Sequence, residues 1–302
     1  MPVNREQAGI VEQNANEMSD LVINLVNSSD ISSIKQVVTE ILNVIQDENS
    51  SAKDLKDIIE RDPPLCSKLL KLANSAFYGY SKSIGDIQEA IVCIGFDAVR
   101  ELALNQKVCE LFMKEETIDG YSRWLLWEHS SAVAVCSKMI YRREFGQRGD
   151  NIYAAGLLHD LGIIVEDQFF QEMFRQSLKK FMAEKVNLYQ AETDLISINH
   201  TEIARAIAVD WEFPDELIQA IACHHQPEKA DPAYERIVRS VYLANFLCQR
   251  EKIGFVDAPI RNTALYRESL SMLGIKDRAI ELIVEELKAE LKRLHQMDSF
   301  LS

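Results

Sequence analysis

An adjacent histidine and aspartate, His159 and Asp160, interrupt an apolar run, AAGLLHDLGIIVEDQ, which covers residues 154–168. An imidazole beside a carboxylate in such a setting either binds a ligand or satisfies its own hydrogen bonds inside a protein core. The choice between these two interpretations depends on the other polar side chains that share the apolar environment.

Four further histidines lie in apolar helical patterns: His129, His200, His224 and His225. One such histidine is more often a hydrogen-bonded core residue than a ligand. Five of them with an adjacent aspartate, on successive helices of a bundle, indicate a common purpose, because each buried imidazole needs a partner. Imidazole and carboxylate suit Fe, Mn or Zn, and a bundle can direct several side chains to one interior point. We therefore expect a divalent transition metal as cofactor, and a metal-free hydrogen-bonded network is the alternative.

The elements that must position these side chains are predicted to be α-helices. Glycine (11) and proline (7) are scarce among the 302 residues, and a turn-rich β fold would need more of both. In the stretch SSIKQVVTEILNVIQDENS the apolar residues fall on one helical face: they are Ile34, Val37, Val38, Ile41, Leu42 and Ile45. Since no stretch of useful length alternates as a strand does, we predict an all-α fold.

The second half of the chain is predicted to consist of helices joined by short turns, with prolines at several helix boundaries. The expected helices cover residues 122–144, 151–160, 161–183, 187–197, 200–211, 215–225, 231–250 and 276–297.

Charge and composition exclude several classes of function. The net charge of −14 argues against nucleic acid as a partner, because nucleic-acid-binding proteins carry a basic patch or stripe. The six cysteines form no C-x-x-C pair and fit a reducing compartment. The N-terminal residues contain no apolar signal-peptide core, and no apolar run reaches the roughly 18 residues that span a bilayer. We expect a cytoplasmic protein with no membrane partner.

Four stretches together resemble the HDOD family, the HD-related output domain of the HD phosphohydrolase superfamily. They are IIERDPPLCSKLLKLANSAFYG, IGDIQEAIVCIGFDAVREL, the pair LWEHSSAVAV and AAGLLHDLG, and NHTEIARAIAVDWEFPDELIQAIACHHQPE. The resemblance extends from about Ile34 to Leu247. It implies a two-lobed helical protein in which an N-terminal lobe packs on an HD-like bundle.

The resemblance also implies a domain organisation and a role. We expect an N-terminal helical arm over 1–30, an N-terminal lobe over 31–120, an HD-like lobe over 121–250 and a C-terminal helical extension over 251–302. The family acts in bacterial signal transduction, usually without demonstrated catalysis. Signalling proteins are therefore the expected partners, and a small phosphorylated ligand is a further candidate.

The chain departs from the catalytic HD pattern at one metal ligand. The resemblance implies metal ligation by His129, His159 and Asp160, with His200, His224 and His225 near them. A final aspartate is usual on a late helix, but RIVRSVYLANFLCQR carries Asn245 at that place. A neutral amide oxygen is a poorer ligand for a transition metal than a carboxylate.

Features of the related HD-GYP phosphodiesterases are also missing. Those enzymes carry a lysine three residues after the aspartate, where this chain has Ile163, and a Gly-Tyr-Pro segment, where it reads HHQPEKADPAY. We therefore favour a non-catalytic regulatory module with a degenerate metal site. The alternative is a metal-dependent phosphohydrolase acting on a nucleotide or phosphoester, which would need an open cleft beside the metal.

Two expectations concern apolar residues outside the site. Trp124, Trp127 and Trp211 are expected to lie in the core. The last predicted helix carries an apolar stripe that we expect to dock on the HD-like lobe rather than on a partner; its members are Ile280, Ile283, Val284, Leu287, Leu291 and Leu294.

Overall fold

The computed structural model describes residues 17–47, 49–75, 78–79, 83–113, 117–118, 120–196, 198–257 and 263–298. Within these residues the protein is all-α, as predicted, and the only strands are the two-residue pair β1 (Thr117–Ile118) and β2 (Tyr121–Ser122). The expected N-terminal arm is described only from residue 17, where helix α1 covers 17–27; residues 1–16 lie outside the described part.

Five N-terminal helices follow α1, and three of them begin at a capping serine or aspartate. They are α2 (Lys35–Gln46), α3 (Ala52–Glu60), α4 (Pro63–Ala73), α5 (Ile87–Ile94) and α6 (Phe96–Cys109), with 3-10 turns at Asp30–Ile34 and Glu110–Phe112. Ser51 caps α3 and forms a reciprocal capping box with Asp54. Asp62 accepts from the backbone N–H of Leu65 at the start of α4, where prolines occupy the first turn.

The helices that follow carry the histidines. They are α7 (Arg123–Phe145), α8 (Asp150–Leu158), α9 (Leu161–Phe169), α10 (Gln171–Glu184), α11 (Leu188–Ile196), α12 (His200–Asp210), α13 (Asp215–Cys223), α14 (Glu235–Arg250), α15 (Thr263–Leu273) and α16 (Asp277–Asp298). The single helix expected over 161–183 is in fact two, because the backbone leaves the helical region at Phe170 (φ −123°, ψ 36°). Helix α15 was not predicted.

Two glycines let the helices that carry the site approach closely. A Cβ on Gly156 would lie 2.8 Å from the Cα atom of Ala134, so α8 packs backbone to backbone on α7. A Cβ on Gly162 would overlap the carbonyl oxygen of His200 and lie 2.7 Å from its carbonyl carbon, so α9 is equally close to α12. Any side chain at these positions would separate the helices that carry the expected ligands.

The core is continuous from the N-terminal helices through the histidine-bearing helices to α16. The division of the chain at Gly120 therefore stays a prediction. Trp127 and Trp211 are buried as expected, but Trp124 is 48% exposed, so the expectation was wrong for this residue. It lies in the first turn of α7.

Helix α16 docks on the bundle, as predicted. The first four residues of its apolar stripe are buried and α16 packs against α7: they are Ile280, Ile283, Val284 and Leu287. Leu291 is partly buried against the same core, and the side chain of Leu294 lies outside the described part. All six cysteines are free. Among the described helices, none combines the length and apolar character needed to cross a lipid bilayer.

Candidate metal centre

The structure brings all five expected histidines and Asp160 into one cluster in the bundle interior. His129 comes from the first half of α7, His159 and Asp160 from the junction of α8 and α9, His200 from the first turn of α12, and His224 and His225 from the end of α13. Each of them is at most 1% exposed, except His225, whose side chain is 11% exposed.

The carboxylate of Asp160 lies between two groups of imidazoles. Its Oδ2 atom is 3.1 Å from His159 Nε2 and 3.9 Å from His129 Nε2. Its Oδ1 atom is 3.5 Å from His224 Nε2 and 3.7 Å from His200 Nε2. We call His129, His159 and Asp160 the first group, and Asp160, His200, His224 and His225 the second group.

Four of the imidazoles are held by hydrogen bonds through Nδ1. The Nδ1 atoms of His159 and His224 lie 2.8 Å from the carbonyl oxygens three residues earlier, at Gly156 and Ile221. His129 Nδ1 lies 3.3 Å from the carbonyl oxygen of Ile253. An Nδ1–H donor at each of these acceptors leaves Nε2 with a free lone pair that faces Asp160, which is how metal-binding histidines are usually held.

His200 is held by a buried carboxylate that the sequence interpretation missed. Its Nδ1 lies 2.6 Å from Oε2 of Glu192, on α11, and the same oxygen accepts from the backbone N–H of His200. Glu192 and His200 are eight residues apart and lie on different helices, so no helical periodicity in the sequence indicates that they pair. Glu166 on α9 is also fully buried, and burial followed by the charge of Glu192 raises its pKa well above the usual range.

The residues fit a divalent metal. Within the described residues, His159 Nε2, His224 Nε2 and both carboxylate oxygens of Asp160 are buried without a hydrogen-bond partner. A buried polar atom without a partner costs free energy, so a cluster of them indicates that something else satisfies them. Two ligands that are each about 2.1 Å from one metal ion in tetrahedral geometry lie about 3.4 Å apart. The separations around Asp160 are close to this value.

Asn245 stands beside the first group, as expected for the residue in place of the usual aspartate. Its Oδ1 atom lies 3.0 Å from His129 Nε2 and accepts from Gln249 Nε2 at 2.8 Å. If His129 donates from Nδ1, its Nε2 lone pair faces an amide oxygen, which is also an acceptor. A cation between these two atoms would remove that conflict.

A second missed residue is Asp257, which is buried at the edge of the second group. Its Oδ2 atom is 3.6 Å from His225 Nε2. Burial and then the charge of Asp160 raise the pKa of Asp257 to about 7. The segment IGFVDAP that contains it carries no motif, so this contact could not be predicted from the sequence.

The imidazoles differ in how easily they bind a proton. Burial lowers the pKa of both His129 and His224 to about 4, and it lowers that of His225 well below the usual range. Burial acts in the same direction on His200, but the carboxylate of Glu192 outweighs it and raises the pKa of His200 to about 9. His129, His224 and His225 are therefore neutral at pH 7, as a histidine that binds a metal must be.

The six side chains of the cluster are almost wholly buried, and His225 is the most exposed of them. Within the described residues, the hydrogen bonds and ion pairs of the six side chains involve only histidine, carboxylate, amide and backbone groups. Ile163, at the place of the lysine of the HD-GYP enzymes, is fully buried.

A groove of about 910 Å³ lies elsewhere, between α6, α7 and α16. Its wall includes the half-exposed Trp124 together with Leu102, Val135 and Met139, and charged residues such as Glu101 and Arg142 line its rim. None of the six cluster residues lines this groove.

Comparisons with known proteins agree with the helical fold. The HDOD domain family profile matches residues 31–227. An uncharacterized protein of Treponema pallidum (strain Nichols) is 26% identical over 250 residues, which are 82% of this chain and 47% of the relative. The chain therefore spans about half the length of that curated relative.

Two crystal structures share the fold. An HDOD domain protein of unknown function from Geobacter sulfurreducens superposes with a TM-score of 0.72 at 27% identity, covering 88% of this chain and 91% of the other. A candidate signal transduction protein from Marinobacter aquaeolei VT8 superposes with a TM-score of 0.70 at 24% identity, covering 88% of this chain and 58% of the other.

Proposed function

Because this chain belongs to the HDOD domain family, we propose that it is a regulatory module of bacterial signal transduction. In this proposal its buried HD-type cluster holds a divalent transition metal, Fe, Mn or Zn, and the protein acts by binding signalling proteins rather than by turning over a substrate. The metal and the absence of turnover are supported by different observations.

The observation that supports a bound metal is the common orientation of the imidazoles. The Nδ1 atoms of His129, His159, His200 and His224 are all engaged by backbone carbonyls or by a carboxylate, and their Nε2 atoms face one aspartate. A core that used these histidines only for packing would have no reason to leave His159 Nε2, His224 Nε2 and both oxygens of Asp160 buried together without hydrogen-bond partners. A metal bound there satisfies all of them.

The closed environment supports a role without turnover. A phosphohydrolase needs room for a phosphoester beside the metal and positive charge to hold it. The side chains of the cluster are buried, and none of their hydrogen bonds or ion pairs within the described residues reaches a lysine or arginine. The groove beside Trp124 supports binding of a partner, since exposed apolar surface with a polar rim is typical of protein contact sites.

A metal-dependent phosphohydrolase is the second candidate, and one observation favours it. His225 is the most exposed member of the cluster, with 11% of its side chain accessible, so the second group lies closest to solvent. A divalent metal at that group would supply a Lewis acid that activates water and polarises a phosphoryl oxygen.

Metal analysis of the purified protein tests the proposal. Wild type is compared with His159→Ala and Asn245→Asp, and His295→Ala, which changes a histidine of α16, is the matched control. We expect stoichiometric metal in wild type and in His295→Ala, a loss in His159→Ala, and at least as much metal in Asn245→Asp. All four proteins are then assayed against a panel of nucleotides and phosphoesters with Mn²⁺, Fe²⁺ or Zn²⁺ added.

The outcomes separate the two parts of the proposal. Metal-free wild type that stays metal-free when Mn²⁺, Fe²⁺ and Zn²⁺ are supplied would contradict the metal site. Turnover by metal-loaded wild type that disappears in His159→Ala would contradict the non-catalytic role and establish the phosphohydrolase.

A further inference from the structure

The segment between α14 and the described start of α15 carries a buried carboxylate, Asp257, that points at the metal centre. The Oδ2 atom of Asp257 is buried, has no hydrogen-bond partner among the described residues, and lies 3.6 Å from His225 Nε2. An aspartate that is 1% exposed is rare unless it is paired or binds a cation. Its free oxygen faces the second group of the cluster.

The backbone of this segment is anchored at three points. Ile253 N–H donates to the carbonyl oxygen of Cys248, and Phe255 N–H donates to that of Leu125 on α7. The carbonyl oxygen of Asp257 accepts from the N–H of Leu188 at the start of α11, at 2.8 Å. The same segment supplies the carbonyl that holds His129. Asp257 is therefore presented to the cluster by fixed backbone.

Asp257 also fixes the orientation of Asn245. Gln249 Nε2 donates both to Asp257 Oδ1 and to Asn245 Oδ1. Since a carboxylate can only accept, it requires the NH₂ end of Gln249 on its side. That NH₂ group in turn requires the oxygen end of Asn245, which leaves this amide oxygen directed at His129 Nε2.

The two groups consequently differ in charge. The first group offers His129, His159, one oxygen of Asp160 and a neutral amide. The second group offers three imidazoles and the other oxygen of Asp160, and the carboxylate of Asp257 lies 3.6 Å from the imidazole of His225. A divalent ion at the second group meets two carboxylates, whereas at the first group it meets only the shared one. A buried divalent cation is bound more tightly where more negative charge offsets its own.

We propose that Asp257 supplies the carboxylate that position 245 lacks, and that the tight metal site of this chain is therefore the second group, with Asp257 as a ligand. This inference rests on the metal clause of the proposed function. It places the preferred ion with His200, His224 and His225, whereas the late-helix aspartate of active HD enzymes would serve the first group.

Metal titration of isosteric variants tests the assignment. Metal-stripped wild type, Asp257→Asn, Asn245→Asp and the double variant are titrated with Mn²⁺ and Co²⁺ by calorimetry. The visible spectrum of bound Co²⁺ reports its coordination. Asp20→Asn, the same change at an exposed residue of α1, is the matched control. Circular dichroism of the metal-free proteins checks that each variant is folded.

We expect wild type and Asp20→Asn each to bind one metal ion tightly. Asp257→Asn is expected to weaken the binding of that ion at least tenfold and to change the Co²⁺ spectrum, because a carboxylate ligand is replaced by a neutral amide. Asn245→Asp is expected to add a second ion at the first group, and the double variant to retain only that ion. His225→Ala should resemble Asp257→Asn, whereas His129→Ala should keep the tight ion.

Equal affinity and an unchanged Co²⁺ spectrum in wild type and Asp257→Asn would overturn this inference and leave the metal clause intact. Loss of the tight ion in His129→Ala but not in His225→Ala would also overturn it, since the tight site would then be the first group. Wild type that binds neither Mn²⁺ nor Co²⁺ would overturn the metal clause and the inference with it.

Discussion

Replacing Gly162 by alanine should test the close approach that brings the ligand-bearing helices together. Gly162 lies in α9, two residues after Asp160, and faces the first residue of α12, His200. A Cβ at Gly162 would lie 2.7 Å from the carbonyl carbon and 2.9 Å from the Cα atom of His200, and closer still to the carbonyl oxygen. All three neighbours are backbone atoms, so no side chain can rotate away.

The expected cost follows from these distances. Carbon atoms in good contact are about 3.5–4.0 Å apart, so α9 and α12 must separate by about 1 Å. Overpacking of this kind costs about 1–3 kcal/mol and occasionally more, while alanine in a helix gains up to about 1 kcal/mol over glycine. Because the clash involves backbone on both sides, we expect a net loss of about 2 kcal/mol, equivalent to about 3 °C in Tm for a protein of this size.

Thermal and urea unfolding of the metal-free protein measure the effect, and two other glycines provide a graded control. Gly156→Ala would place Cβ 2.8 Å from the Cα atom of Ala134 and should destabilise the protein less than Gly162→Ala. Gly85→Ala meets nothing within 4 Å and should change stability by less than about 0.5 kcal/mol. Gly162→Ala should also weaken metal binding, because His200 must move with α12.

An unfolding free energy for Gly162→Ala equal to that of Gly85→Ala would refute this reasoning, because it would mean that α9 and α12 do not approach as closely as described. Normal stability combined with lost metal binding would likewise contradict it, since the two effects have one steric cause.

The remaining predictions concern buried charges. Lys107→Met should cost about 3 kcal/mol in urea unfolding, because it leaves the buried Asp62 without its partner at 2.7 Å, whereas Lys56→Met at an exposed pair should cost far less. Burial opposes the shift, but the hydrogen bond from Lys107 lowers the pKa of Asp62. The difference between wild type and Lys107→Met should therefore persist above the usual aspartate pKa of about 3.9 and shrink as the pH falls through the lower folded value; a constant difference at pH 2–7 would contradict this. Glu192→Gln keeps an acceptor for His200 Nδ1 but removes its charge, and it should weaken Mn²⁺ binding about 10–100-fold in calorimetry without unfolding the protein. Unchanged affinity would mean that His200 is not a ligand.

Much of the local structure could be predicted from the sequence because it depends on neighbouring residues. The capping box at Ser51, the helix start at Asp62 and the apolar stripe of α16 all follow from helical spacing. The break at Phe170 and helix α15 could not be predicted in this way. The stretch from 161 to 183 has no glycine or proline that would mark its interruption.

The sequence by itself determined which side chains could form the site. Histidines in apolar helical patterns had to be buried, and buried imidazoles needed partners. This logic placed His129, His159, Asp160, His200, His224 and His225 in one candidate set, and it uses only residue type and position along a helix. The resemblance to the HD pattern then identified Asn245 as the weak position.

Only the tertiary structure decided how these side chains divide into two groups around Asp160 and which further residues complete the site. Asp160 faces two groups because α8 and α12 meet on its opposite sides, and Glu192 and Asp257 join the cluster from α11 and from the segment after α14. Such contacts depend on how distant segments pack, which has no period along the chain. The carboxylate missing from position 245 could therefore be read from the sequence, but the one that stands beside His225 could not.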